Sequence, residues 1–139
     1  VQGRWPDGVS EVTAPLKRYV QNNGERIVRV HQEGKESLTR FTVQERYKRA
    51  TLVAASPVTG RTHQIRVHAL HKGCPLAGDE KYGDTPLNAS LRDECGLRRL
   101  FLHAAELQID IPGWVPLKVQ APLPDDLQQV LLNLPAFGV

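Results

Sequence analysis

No stretch of this 139-residue sequence is apolar for long enough to cross a bilayer. Its first residues carry no signal-peptide pattern either. Both absences point away from a membrane and toward the cytoplasm. Cysteine is scarce: Cys74 and Cys95 are the only two, too few for a disulfide scaffold. Two reduced thiols in a cytosolic protein are the simplest reading. No internal repeat or low-complexity tract is visible, and neither a CxxC nor an HExxH occurs. No large excess of one sign of charge is present: 18 Lys and Arg face 15 Asp and Glu, a net charge of +3. Alone, that is weak support for a polyanionic partner. What remains is ordinary globular material, 40% hydrophobic and 24% charged, long enough for one domain with its own core.

Along the chain, "NNGE" at 22–25 signals a turn and "RIVRV" after it a short strand. "LTRFTVQERY" at 38–47 alternates, with Phe41 and Val43 on one face and Thr42 and Gln44 on the other, as a half-buried strand does. "ATLVAAS" at 50–56 is more apolar and close enough to pair with it as a hairpin. A central helix is expected from Thr62 as N-cap to Lys72, ended by Gly73 and Pro75. "CPLAGDEKYGD" reads as a loop and "NASLRDECG" as a short helix. "RRLFLHAAELQIDI" reads as a bulged strand and "WVPLKVQAPLP" as its return. Leu127, Val130, Leu131 and Leu134 recur at helical spacing behind Asp125 and Asp126, which predicts an amphipathic C-terminal helix. Strands joined mostly by short turns make the fold class α+β, with a mainly antiparallel sheet and flanking helices.

The densest chemistry is "TGRTHQIRVHALHKG", residues 59–73. His63, His68, His71 and Cys74 have the chemistry of metal ligands, but His63 and His68 lie about 140° apart round a helix of 3.6 residues per turn. Cys74 falls beyond the helix terminator. A tetrahedral site needs convergence that this spacing does not give, so no metal is expected. Ile65, Ala69 and Leu70 form a narrow apolar stripe, which leaves open a plain solvated basic face for the rest. The other reading is an anion site, because Gly60, Arg61 and Thr62 stand where backbone N–H groups and the positive end of a helix meet. Arg66 falls at the edge of the stripe. A partly buried arginine needs an anionic partner, and no acidic residue lies in this stretch. The partner is therefore expected from elsewhere.

"SPVTGRTHQIRVHALHKGCPLAGDEKYGD", followed by "RLFLHAAEL" and "VQAPLP", resembles the RluA family of pseudouridine synthases, and most of all its branch acting on large-subunit ribosomal RNA. The resemblance runs the length of the chain. It implies the pseudouridine synthase fold, built on a mixed, mostly antiparallel sheet. It implies an RNA-modifying isomerase that replaces the N1–C1′ bond of uridine by a C5–C1′ bond on a flipped base, without metal or organic cofactor. By the same resemblance, Arg66 is the arginine that pairs with the catalytic aspartate and approaches the target nucleotide. Gly60, Arg61, Thr62 and Gln64 build the turn and helix start around it. Leu102 is expected on an apolar wall of the base pocket and Lys118 on its rim. Lys72, Lys81, Arg98 and Arg99 are expected phosphate contacts. The partner implied is large-subunit ribosomal RNA, met by a cytoplasmic monomer.

Two departures stand out. The family's Arg-Leu-Asp motif is not in this chain, and neither Tyr47 nor Tyr82 matches the family's stacking tyrosine. "VQGRW" resembles the tail of a family segment that should precede it. Residues 1–139 are therefore expected to be the C-terminal portion of one catalytic domain, inactive alone, with Arg66 paired to an aspartate outside the chain. The alternative is a non-catalytic RNA-binding module that uses the same basic cleft.

Overall fold

The computed structural model describes residues 1–138. The elements run β1 (Glu11–Thr13), β2 (Leu16–Val20), β3 (Arg26–Val30), β4 (Leu38–Arg46), β5 (Thr51–Pro57), α1 (Gln64–His71), α2 (Thr85–Cys95), β6 (Glu106–Ile109), β7 (Leu117–Gln120) and α3 (Asp125–Asn133). The expected α+β class and antiparallel pairing are both present, and the strands are distributed over three ladders: β1-β4-β5, β2-β3 and β6-β7.

The alternation in β4 works as its sequence implies. Thr39 and Phe41 are buried while Arg40 and Thr42 face water. A bulge between Val43 and Glu45 shifts the register of the pairing to β5. Phe41 stacks on Trp5 with ring centroids 4.4 Å apart. This pair anchors a core with Val12, Ala14, Ala69, Cys74 and Leu76. The "NNGE" turn closes the β2–β3 hairpin, with Gly24 at φ +83° and the Asn23 side chain accepting from the Glu25 N–H. A small cluster of Leu16, Val28, Val67 and Tyr82 ties that hairpin to α1 and to the loop after it. Leu127 and Val130 of α3 pack with Ala77, Cys95 and Leu97, which joins α3 to the end of α2.

Three expectations change. The central helix is shorter than 62–72. It runs from Gln64 to His71, its N-cap is His63 in the left-handed region, and no side chain caps it, so Thr62 has no capping role. The second helix begins before "NASLRDECG", at Thr85. Asp84 caps it by accepting from the Leu87 N–H, and Pro86 fits its first turn. Of "RRLFLHAAELQIDI" only Glu106–Ile109 is strand. The segment before it bonds elsewhere, as where the Phe101 N–H donates to the Ala77 carbonyl. β6 and β7 set Leu107 opposite Val119 and Ile109 opposite Leu117. All eight residues of that ladder are exposed.

Candidate active-site cluster around Arg66

The turn before α1 is held from inside by one side chain. Gln64 is buried, and its Oε1 accepts from the Thr59 hydroxyl (2.7 Å) and the Arg61 backbone N–H (3.0 Å). Its Nε2 donates to the Leu38 carbonyl and to Thr39 Oγ1, both at 2.9 Å. The Thr39 hydroxyl in turn meets His68 Nδ1 at 2.8 Å, and His68 Nε2 meets the Ala14 carbonyl at 2.9 Å. A carbonyl only accepts, so Nε2 carries the proton and Nδ1 accepts from Thr39. Burial pushes the His68 pKa down, in keeping with this neutral tautomer. α1 therefore turns Gln64, Val67 and His68 inward together with Ala69, while Leu70 of the anticipated stripe is exposed.

Next along the turn, His63 sits at φ +53°, the single non-glycine residue with positive φ among the described residues. Such a conformation is uncommon outside Gly, although Asn, Asp and His adopt it more readily than other side chains, and it is held by its surroundings. The surroundings are visible. His63 Nδ1 lies 2.7 Å from Tyr82 Oη, and that oxygen accepts from the Val28 N–H at 2.9 Å. With the tyrosine proton pointing to Nδ1, both the Tyr82 hydroxyl and the Val28 N–H find acceptors. Burial lowers the His63 pKa, and the Arg66 and Lys81 charges add to the effect.

Arg66 has a carboxylate partner inside the chain, where only an external one was expected. Its Nε donates to Asp79 Oδ2 and its Nη2 to Asp79 Oδ1, both at 2.8 Å. Asp79 is fully buried, while the Arg66 side chain keeps 20% of its surface exposed. The guanidinium also lies 5.0 Å from the centroid of the Tyr82 ring. Asp79 Oδ1 further accepts the backbone N–H groups of Lys81 and Tyr82. Burial alone would push the Asp79 carboxyl up. The Arg66 hydrogen bonds, the Tyr82 N–H, the Arg66 charge and the Lys81 N–H outweigh it and hold the pKa below the usual carboxylate value. The same hydrogen bonds raise the Arg66 pKa further. One edge of the guanidinium, Nε with Nη2, is thus occupied, and its Nη1 end remains for a second anion.

Asp79, Tyr82, His63 and Asn88 were not singled out as site residues from the sequence. Asn88 on α2 staples the loop, its Nδ2 donating to the Asp79 carbonyl and its Oδ1 accepting the Gly78 N–H. Gly78 sits at φ +75°, and a side chain there would strike the Arg99 carbonyl. The one sequence signal was that Asp79 is the first acidic residue after Arg66, beyond a reversal at Gly73.

The remaining expected residues divide. Gly60, Arg61, Thr62 and Gln64 do stand together with Arg66 at the start of α1. Arg61 Nε and Nη2 donate to the Glu36 carbonyl at 3.2 and 3.1 Å. Lys81 Nζ donates to the Arg26 carbonyl and lies 3.9 Å from Glu25. Arg99 grips Asp126 through Nε (2.7 Å) and Nη2 (3.2 Å). Lys72 is half-buried at the C-cap of α1 and Arg98 is exposed. Leu102 is exposed in the irregular segment after α2, and Lys118 pairs with Glu106 on the β6–β7 hairpin. Among the described residues no group of three or more His, Cys, Asp and Glu side chains could hold a metal ion.

Residues 9–71 match the family model described as RNA pseudouridylate synthase. The chain is 52% identical over 136 residues to a protein of Escherichia coli O157:H7 named ribosomal large subunit pseudouridine synthase C. Proteins of the same name from Yersinia pestis and Haemophilus ducreyi are 49% and 45% identical. These matches take in 96–98% of the chain but only 42–43% of the relatives, so the chain spans under half their length. Two solved structures share the fold. The human RNA pseudouridylate synthase domain containing 1 superposes with a TM-score of 0.71, covering 97% of this chain and 64% of the other. For the domain containing 4, the score is 0.69 and the shares are 95% and 59%. Both are 24% identical.

Proposed function

Because this chain belongs to the RluA family of pseudouridine synthases, we propose that its protein isomerises specific uridines of large-subunit ribosomal RNA to pseudouridine. The N1–C1′ bond breaks and a C5–C1′ bond forms on the same nucleotide. The observation that carries this reading is the Arg66 fork. Asp79 fixes the guanidinium through two donors on one edge, Nε and Nη2, and leaves the Nη1 end for a further anion. On this reading that anion is the reacting carboxylate supplied from outside residues 1–139, or a phosphate of the target nucleotide. Either would be strengthened by a partly desolvated site. The flipped base costs a few kcal/mol of unstacking, which contacts in the cleft offset. Gly60, Arg61, Thr62 and Gln64 hold the turn from which Arg66 projects. The protein acts as a monomer in the cytoplasm, where its RNA substrate is made.

The test is a chimera in which these 139 residues replace the 136 matched residues of the Escherichia coli relative. Tritium release from C5-labelled uridine in ribosomal RNA reports turnover. We expect turnover by the chimera and none by the 139-residue chain alone. In the chimera, Arg66→Ala should lose about 100-fold or more, and Arg66→Lys should also be poor because an ammonium lacks the fork. A folded chimera that binds RNA but releases no tritium would point to the non-catalytic module instead.

A further inference from the structure

Beside the Arg66 cluster, the β2–β3 hairpin and the turn before α1 enclose an open cleft of ≈ 440 Å³. Its charged lining is Lys17, Arg18, Glu33, Lys35 and Arg61. Four cations face one carboxylate. We infer that this cleft binds the RNA backbone, with Arg18, Lys35 and Arg61 each taking a phosphate; the inference rests on the reading of the protein as an RNA-modifying enzyme.

Several features agree. Glu33 is engaged with Lys17 at 3.5 Å, and among the described residues neither Arg18 nor Lys35 pairs with a carboxylate. The Arg61 guanidinium is fixed at the rim by the Glu36 carbonyl, so its Nη1 edge is oriented before any ligand arrives. Both walls are stiff. A side chain at position 34 would strike the backbone of Leu16, so glycine lets residues 31–35 lie directly on β2. The opposite wall is the turn that Gln64 holds through Thr59 and Arg61. The size is that of a ligand cleft, but its apolar lining is only Leu16 and Val28 beside the charges, which suits a solvated polyanion better than a small apolar ligand. Finally, the cleft adjoins the reactive end of the site. Val28 lines it, and the Val28 N–H donates to Tyr82 Oη, whose ring carries Arg66. Val28 thus ties the wall of the cleft to the Tyr82–Arg66 pair. Lys81 and Arg99, by contrast, already spend their cationic groups within the protein.

The readout is the salt dependence of binding to a short uridine-containing single strand, followed by fluorescence anisotropy with the full chain and repeated with the chimera. Each phosphate neutralised on a single strand contributes about 0.7 to the log–log slope. The triple variant Arg18→Gln, Lys35→Gln, Arg61→Gln should lower the slope by about 2. A control with the same change of net charge, Arg40→Gln, Arg49→Gln, Arg92→Gln, removes exposed arginines that lie outside the cleft. It should leave the slope within about 0.5. No binding by the parent, an unchanged slope in the cleft variant, or an equal fall in both variants would overturn the assignment. Tritium release separates the two readings. A catalytically active chimera with a parental slope in the cleft variant sinks the cleft alone. A lowered slope without any turnover sinks the isomerase reading and leaves the cleft standing.

Discussion

Replacing Arg66 by Ala tests the pair at the centre of the site without any substrate. The two hydrogen bonds it removes are both 2.8 Å long and both charge-assisted. Their acceptor, Asp79, has no exposed surface while Arg66 covers it. Breaking a buried pair from one side typically costs about 3–5 kcal/mol. In a domain of this size that corresponds to a fall in melting temperature of about 10–20 °C. Urea denaturation at pH 7 gives the free energy directly. A second signature distinguishes the stranded carboxylate from lost packing. In the parent, the folded Asp79 pKa lies below its ordinary 3.8. Its contribution is therefore present above that value and lost as pH falls through the folded pKa. In Arg66→Ala, burial is opposed only by the Tyr82 and Lys81 N–H groups, and the folded pKa rises. The gap between parent and variant should then narrow as pH falls through the raised pKa of the variant. The double variant Arg66→Ala, Asp79→Ala should cost less than the two single losses added, by about 0.5–3 kcal/mol. A loss below about 1 kcal/mol, or a gap that does not change with pH, would refute the pair as a stabilising unit.

Half-buried His63 and buried His68 predict a further pH effect. Burial lowers both His63 and His68 below 6.5. Below that value the unfolded chain binds protons that the folded rings refuse, so stability is full above about pH 6.5 and declines as pH falls toward the folded pKa values. His63→Asn keeps a residue that tolerates positive φ and should flatten this decline in urea midpoint between pH 7 and 5; an unchanged decline would locate the effect elsewhere. Cys74 and Cys95 are free and buried, and burial raises both thiol pKa values. Each should react with a thiol reagent at neutral pH only as fast as the chain unfolds, and rapid labelling of the folded chain would contradict their placement.

Where the sequence pattern was local, it read true. The spacing of Leu127 and Val130 marks α3, and the alternation through Phe41 marks β4 and its hairpin with β5. β1 and β2 are short and split by Pro15, and the partner of β1 lies far along the chain in β4, so neither shows a clear local pattern. The inner face of α1 is only partly legible. Ala69 is buried and Ile65 packs against the core as the apolar stripe implies, but Leu70 is exposed, and the Thr39 hydroxyl and Leu38 carbonyl of β4 draw Gln64 and His68 inward as well. Periodicity of apolar residues cannot register a polar interface. Asp79 escaped because it returns to Arg66 only through the turns at Gly73 and Gly78, which spacing along a helix does not encode.

The inward polar face of α1 also limits how this protein can change by single steps. Leucine at position 64 would strip the acceptor from both the Thr59 hydroxyl and the Arg61 N–H at once. Valine at position 39 would leave Gln64 Nε2 and His68 Nδ1 each short of a partner. Each orphaned buried group costs about 1–3 kcal/mol, whereas exchanging all partners together for apolar ones of matching shape can be nearly neutral. An apolar version of this helix is thus separated from the present one by a valley of unstable intermediates, and a mutational walk that keeps the chain folded at every step stays on this side of it.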